Sequence, residues 1–187
     1  MHPNNVSPYE KCPVFETEHF ILRLVEEEDA QDLLECYSDP FSAKFFNSDN
    51  CTSNFVYQTP DEMKNCIRTW LWEYAQQRYI RFSIVDRISQ KAVGTIECFA
   101  RQETFQNFGK VGVLRIDLAS HYENPGALAE IVSMVENNFY DCFNIQSMLT
   151  KAVPAAQQRI TALKTYGYQE LKDNPIMSYE DYYIKVR

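Results

Sequence analysis

An α/β domain with a mixed sheet is the fold this sequence predicts, and three observations carry the prediction. Its patterns run strand, two helices, three strands, helix, strand, helix, two strands, an order that packs as helices against one mixed sheet. Two of the helices open on strong start signals, Thr59-Pro60-Asp61-Glu62 and Asn124-Pro125. The chain has 187 residues, 45% of them hydrophobic, so it is long enough to bury a substantial core. No internal repeat and no linker divides it. The expected organisation is an N-terminal arm over residues 1–14, followed by a single domain over 15–187 with about seven strands and about four helices.

Each element has its own signal. The arm, residues 1–14, holds three prolines and no periodicity. Phe20 to Val25 reads as a strand. The stretch from Glu26 to Asp39 carries seven acids, and no base lies between Arg23 and Lys44. Leu33, Leu34 and Tyr37 give it an apolar face at helical spacing, and acids at its start suit the positive end of a helix dipole. Asp39-Pro40 stops it. Phe41 to Gln58 is polar, aromatic and irregular, which predicts a loop. At Thr59 a capping box begins: Thr59 caps, Pro60 suits the first helical position, and Glu62 reaches back. Met63, Cys66, Ile67, Trp70, Leu71 and Tyr74 then form one stripe.

Three strand patterns follow, Tyr79 to Asp86, Lys91 to Arg101 and Lys110 to Leu118. Arg87 to Gln90 is short enough for a hairpin turn, and Gln102 to Gly109 is a longer loop. After Asn124-Pro125, the residues Leu128, Ile131, Val132, Val135 and Phe139 make the buried face of a helix. Ser147 to Val153 is a strand. A helix runs from about Pro154 to Thr165, and Gly167 ends it in the left-handed manner usual for glycine. Tyr168 to Lys172 and Tyr182 to Val186 are short closing strands.

Composition narrows the function classes. Only 5 glycines and 8 prolines exclude collagen-like repeats and low-complexity linkers. A formal net charge of -8 argues against a nucleic-acid partner and suits a cationic one. No window approaches the roughly 18 apolar residues that span a bilayer, so no membrane partner is expected. Six scattered cysteines, with no C-x-x-C pair and 3 histidines, give no zinc pattern. Reduced, mostly buried thiols in a cytoplasmic protein are expected.

In this order the motifs resemble the GNAT acetyltransferases, in the branch that acetylates N-termini of ribosomal proteins. Thr17-Glu18-His19-Phe20-Ile21-Leu22-Arg23 is similar to that branch's entry strand, T-x-R-L-x-L-R. Ala92-Val93-Gly94-Thr95-Ile96 is similar to its x-x-G-x-I strand, and Tyr166-Gly167-Tyr168 to its closing x-G-F. The resemblance covers about residues 15–187. It implies a GNAT fold, acetyl-coenzyme A as cosubstrate without a metal, a primary amine as acceptor, and homodimers as one oligomeric state. It also implies that Leu118 to Glu130 is the strand-to-helix segment that holds the cofactor, through Leu118, Ala119, Glu123, Asn124, Gly126, Ala127 and Leu128.

A helix N-terminus suits a pyrophosphate because it offers free N–H groups and a favourable dipole. The branch commonly reads Y-R-G-x-G-x-x-x-E there. Tyr122, Gly126 and Glu130 fit, but Glu123 replaces the basic residue and Asn124 the first glycine. Glu123 brings like charge towards a phosphate. Pro125 has no N–H to give, and Asn124 can cap the helix itself. A second departure lies in the last helix. Relatives carry Asn, then Ser or Ala three residues on, then a Tyr that protonates the leaving thiolate. Counting back from Gly167, those positions are Ala156, Arg159 and Leu163. Tyr166 is close in sequence to the missing tyrosine.

The remaining chemistry rests on few residues. An amine acceptor must lose protons, so a base or a water chain is needed. Asp117 and Glu97, on central strands, are the acidic candidates, either open to the cleft or paired with a base such as Arg115. His121, just before the helix, is the third catalytic candidate, as an imidazole that could relay a proton. The resemblance places the backbone donor for the acyl carbonyl in Ile116 to Ala119. Two functions follow. One is an N-acetyltransferase acting on a protein N-terminus or small cationic amine by direct transfer. The other is a degenerate GNAT-fold binding module, for which Glu123, Asn124, Pro125, Ala156 and Leu163 argue.

Overall fold

The alternation of apolar and polar residues along the central strands sets the two faces of the sheet. In the computed structural model, which describes residues 6–52 and 55–187, eight strands form one sheet. They are β1 (Phe15–Glu16), β2 (Phe20–Leu24), β3 (Ile80–Asp86), β4 (Ala92–Phe105), β5 (Gly109–Leu118), β6 (Ser147–Lys151), β7 (Gln169–Glu170) and β8 (Tyr182–Val186). The order is β1-β2-β3-β4-β5-β6-β8-β7, antiparallel except for the β5–β6 pair. Five helices accompany it: α1 (Ala30–Tyr37), α2 (Pro40–Ala43), α3 (Pro60–Ala75), α4 (Pro125–Cys142) and α5 (Gln157–Thr165).

One set of alternating strand residues is apolar. Leu22, Phe82, Ile84, Ile96, Leu114 and Ile116 pack with Leu128, Ile131, Val135 and Phe139 of α4. The other set includes Arg81, Ser83, Thr95, Glu97 and Asp117, all buried on the side of α1 and α3. There Leu33, Tyr37, Met63, Ile67 and Trp70 form a second core. Burial of this much apolar surface stabilises the domain at about 25 cal/mol per Å2 removed from water.

The two elements beyond the expected seven strands and four helices are β1 and α2. Asp39-Pro40 does end α1, and it also starts α2. Asp39 is extended and accepts from Phe41 N–H at 2.8 Å, so the residue that stops one helix caps the next. The acidic stretch begins as a 3-10 turn, Glu27–Asp29, before α1. Between β4 and β5 the expected loop is mostly strand: β4 runs on to Phe105, with a register shift between Ala100 and Thr104, and Gly109 turns the chain at φ +65°. The last helix starts at Gln157, not Pro154. Thr59 and Glu62 make the expected capping box at α3. Residues 1–5 of the expected arm lie outside the described residues. Within the rest of it, Tyr9 stacks on Tyr74, whose hydroxyl donates to the Pro8 carbonyl.

Gly94 is required by close approach. A Cβ there would lie 2.3 Å from the Asp117 carbonyl oxygen, across the β4–β5 pair. Gly167, at φ +87°, takes the backbone out of α5 in the left-handed region.

Candidate functional site

Where β5 leaves β6, the sheet opens. Pairing of the two strands runs from Val111↔Ser147 to Leu114↔Thr150, while β5 stays paired with β4 as far as Gly94↔Leu118. Arg115 to Leu118 therefore lack a β6 neighbour, and the N-terminal ends of α4 and α5 border the gap. A cavity of about 320 Å3 lies at its mouth, lined among others by Lys44, Phe45, Ser120, Glu123, Ala156 and Arg159. A second, more apolar groove of about 340 Å3 runs between α4 and α5, past Pro125, Ala129, Thr161 and Tyr166.

The helix start is largely self-sufficient. Asn124 is extended, and its side chain accepts from Ala127 N–H at 3.1 Å. Leu128 N–H bonds to the Asn124 carbonyl, and Pro125 has no N–H. Gly126 keeps the helix donor that meets no acceptor among the described residues, and the space above its Cα is open: a Cβ would touch only Asn124 Oδ1, at 3.5 Å. Leu118 and Ala119 are buried, Leu118 in the core under α4 and Ala119 in the core under α1 and α3. Tyr122 donates to Asp86 at 3.0 Å. Glu130 accepts from the backbone N–H of His19 at 2.7 Å and meets its Nδ1 at 2.8 Å, so it ties α4 to the entry of β2.

Glu123 does not stand free beside the helix start. Its carboxylate pairs with Arg159 of α5, and both side chains are buried. The Arg159 guanidinium also donates from Nη1 to the Ile116 carbonyl at 2.8 Å and to the Phe45 carbonyl at 3.2 Å. Arg159 thus ties α5 to the end of β5 that lacks a β6 neighbour. Ala156 and Leu163, on either side of it in sequence, are buried and apolar. Tyr166 packs partly buried against the main core.

Glu97 and Asp117 lie on the other face of the sheet, joined by Arg81. Its guanidinium meets Glu97 Oε2 at 2.6 Å and Asp117 Oδ2 at 2.9 Å, with all three side chains at most 5% exposed. Tyr37 donates to Asp117 at 2.7 Å, Arg115 pairs with Glu97 at 3.2 Å, and Trp70 lies under the Arg81 guanidinium at 4.4 Å. Burial acts to lower the pKa of Arg81, and Glu97, Tyr37 and Asp117 outweigh it, so the net shift is upward. Burial, then Asp117, pushes the Tyr37 hydroxyl well above its usual range. Removing one member of a pair so enclosed would leave an uncompensated buried charge. His121 is exposed on the 3-10 turn Ser120–Tyr122, its ring 4.3 Å from that of Tyr122.

The acidic stretch is mostly engaged within the chain. Asp29 binds Arg23 at 2.6 Å and accepts from Ser83. Glu27 pairs with Arg68 at 3.1 Å, Asp32 accepts from Ala92 N–H, and Glu35 meets Lys91 at 3.4 Å. All six cysteines are free, Cys36 and Cys98 fully buried. Among the described residues no helix is long and apolar enough to cross a membrane.

Of the two readings open for Glu97 and Asp117, pairing with a base is the one observed, for Glu97 with Arg115 among others. The main base is Arg81, which the sequence reading does not single out, nor does it give Tyr37 or Asp49 a polar role. The signal for Arg81 was present: Ile-Arg-Phe-Ser-Ile alternates like Thr-Ile-Glu-Cys and Arg-Ile-Asp-Leu, so three polar sides face one another across the register. Asp49 had no such signal. It binds Lys151 at 2.9 Å and accepts from Tyr182 at 3.1 Å, which pins the segment after α2 against β6 and β8.

As arranged in this structure, Arg159 and Glu123 occupy the space beside the start of α4. Among the described residues the Gly126 N–H meets no acceptor, Lys44 at the cavity mouth lies over the Phe41 and Phe45 rings with no carboxylate partner, and the Ile116 carbonyl is taken by Arg159.

Comparison with known proteins bears on the same region. The profile of the family described as "Acetyltransferase (GNAT) domain" matches residues 19–169. An uncharacterized N-acetyltransferase of Bacillus subtilis (strain 168), YoaA, is 26% identical over 123 residues, which is 66% of this chain. The match spans 64% of that relative's length. Among solved structures, the ribosomal-protein-S5-alanine acetyltransferase of Vibrio fischeri superposes with a TM-score of 0.69 at 17% identity, covering 93% of this chain and 96% of its own. RimL, a ribosomal L7/L12 alpha-N-protein acetyltransferase in complex with coenzyme A, gives 0.70 at 9% identity, covering 93% and 98%. These two share the fold.

Proposed function

This chain belongs to the acetyltransferase (GNAT) domain family, and from that premise we propose that it is an acetyl-coenzyme A-dependent N-acetyltransferase acting on a primary amine. The acceptor is a protein N-terminus or a small cationic amine, and transfer is direct, in a ternary complex. The observation that carries this reading is the parting of β5 from β6 beyond Leu114, beside the Asn124 helix start. RimL's action on a protein N-terminus supports a peptide amine as the first acceptor to try.

When bound, the cosubstrate supplies an activated acyl group. The chain's own contribution is a rigid rim: Ile116 to Ala119 along β5, and Gly126, Ala127 and Leu128 at the start of α4. Glu97 and Asp117 act as positioning residues, because Arg81 holds both away from solvent. His121, the third candidate, lines a separate cavity with Asp32, Glu35 and Lys91 and takes no proton-transfer role at the gap.

The test is direct. Wild-type protein is mixed with acetyl-coenzyme A and a panel of peptide N-termini, polyamines and aminoglycosides, and products are read by mass. Acetylated product is expected, at a rate that rises with pH as the amine deprotonates, around pH 8 for a peptide N-terminus. No product from any amine, in the wild type or in a variant that binds coenzyme A, would sink the proposal.

One observation favours the second reading, a GNAT-fold binding module without turnover: Arg159 and Glu123 fill the gap in which the acyl group would lie. That reading expects no product from any amine, even in a variant that binds coenzyme A.

A further inference from the structure

A buried cation needs partners, and the partners of Arg159 come from three separate elements. Glu123 precedes α4, the Ile116 carbonyl belongs to the unpaired end of β5, and the Phe45 carbonyl follows α2. These are three of the walls around the gap in the sheet. Among the described residues the Arg159 Nε is buried without a partner, as are those of Arg81 and Arg115, so all the bonds of Arg159 are made by its two terminal nitrogens. On either side of the first turn of α5 lie the two cavities described above, which share Gln157 and Gln158. Arg159 lines the one at the mouth of the gap.

We infer that the Arg159–Glu123 pair is a plug built into the fold: it closes the cofactor cleft, and coenzyme A enters only when the guanidinium leaves. The inference rests on the acetyltransferase reading of the cleft. It explains why the carbonyl of Ile116 is not open and why Glu123, an acid where relatives have a base, is tolerated: it is neutralised by Arg159. A protein that must open before binding has its affinity reduced by the fraction of molecules that are open. Removing the plug therefore tightens binding.

The experiment is calorimetric titration of coenzyme A itself into three proteins: wild type, Glu123→Gln, and Glu123→Gln/Arg159→Ala. The single variant removes the like charge but leaves the guanidinium in the gap; the double variant removes both. At least about tenfold tighter binding by the double than by the single variant is expected, for a plug that leaves a tenth or less of the molecules open. Equal or weaker binding by the double variant overturns the plug; weaker binding would instead make Arg159 a ligand of the phosphates. Where melting shows the double variant unfolded, Arg159→Lys replaces it. Lysine is too short to span the three acceptors, so tighter binding than wild type supports the plug and equal or weaker binding overturns it. The two proposals fail separately. Wild-type turnover without any gain on truncation overturns the plug alone. A gain on truncation without acetylation of any amine, in wild type or in the opened variant, overturns the transferase reading alone. No binding by any protein overturns both.

Discussion

Two arginines in this molecule are equally buried and differently held. Arg81 lies among paired strands. Its carboxylate partners, Glu97 and Asp117, sit at the same level of a continuous antiparallel ladder, and a tryptophan covers its guanidinium. Arg159 lies where two strands part, and it has one carboxylate and two backbone carbonyls from elements that no ladder joins across the gap. The first arrangement is fixed by register, so it cannot open without breaking the sheet. The second is a bridge between separable walls. A buried ion pair inside a ladder reads as structure, and the same pair across a splayed pair of strands reads as a closure.

That contrast can be broken by stability measurements. Arg81→Met should have the largest effect. It strands two buried carboxylates, and loss of about 3–5 kcal/mol in urea unfolding is expected; a change below about 1 kcal/mol would mean the cluster is not the clamp described here. Glu123→Gln/Arg159→Met should have a smaller effect, about 1–3 kcal/mol, because both charges go together but the Ile116 and Phe45 carbonyls lose their donor. A loss as large as that of Arg81→Met would abolish the distinction between the two sites.

The smallest effect belongs to an exposed pair, His19 with Glu130. The carboxylate bonds to the imidazole and raises its pKa above 6.5. The pair's contribution to stability is thus full below pH 6.5 and is lost as pH rises through the folded-state value. An NMR titration of His19 should show a midpoint above 6.5, falling back in Glu130→Gln. An unshifted midpoint in the wild type would show that the contact does not persist in solution.

Much of this was legible before any coordinates. The capping box at Thr59, the helix start at Asn124, the glycine stop at Gly167 and the strand alternation are local signals, and local signals survive translation into structure. Gly94 marked a strand position where only a glycine could pass, and its reason is the Asp117 carbonyl 2.3 Å from a would-be Cβ. The site was half legible. Glu123 and Asn124 stood out as departures, and so did Arg159, but as separate oddities 36 residues apart. The short α2 was hidden because Asp39-Pro40 is both a stop and a start.

The sequence by itself determined the order of elements, the family, and the residues that depart from its cofactor loop, because each of these is written in spacing along the chain. Only the tertiary structure decided what those departures do. Charge at position 123 is unfavourable to a phosphate when read alone. Folded, it faces a guanidinium brought from α5, and the two neutralise each other in the gap they fill. Pairing across space is set by packing, and no periodicity records it.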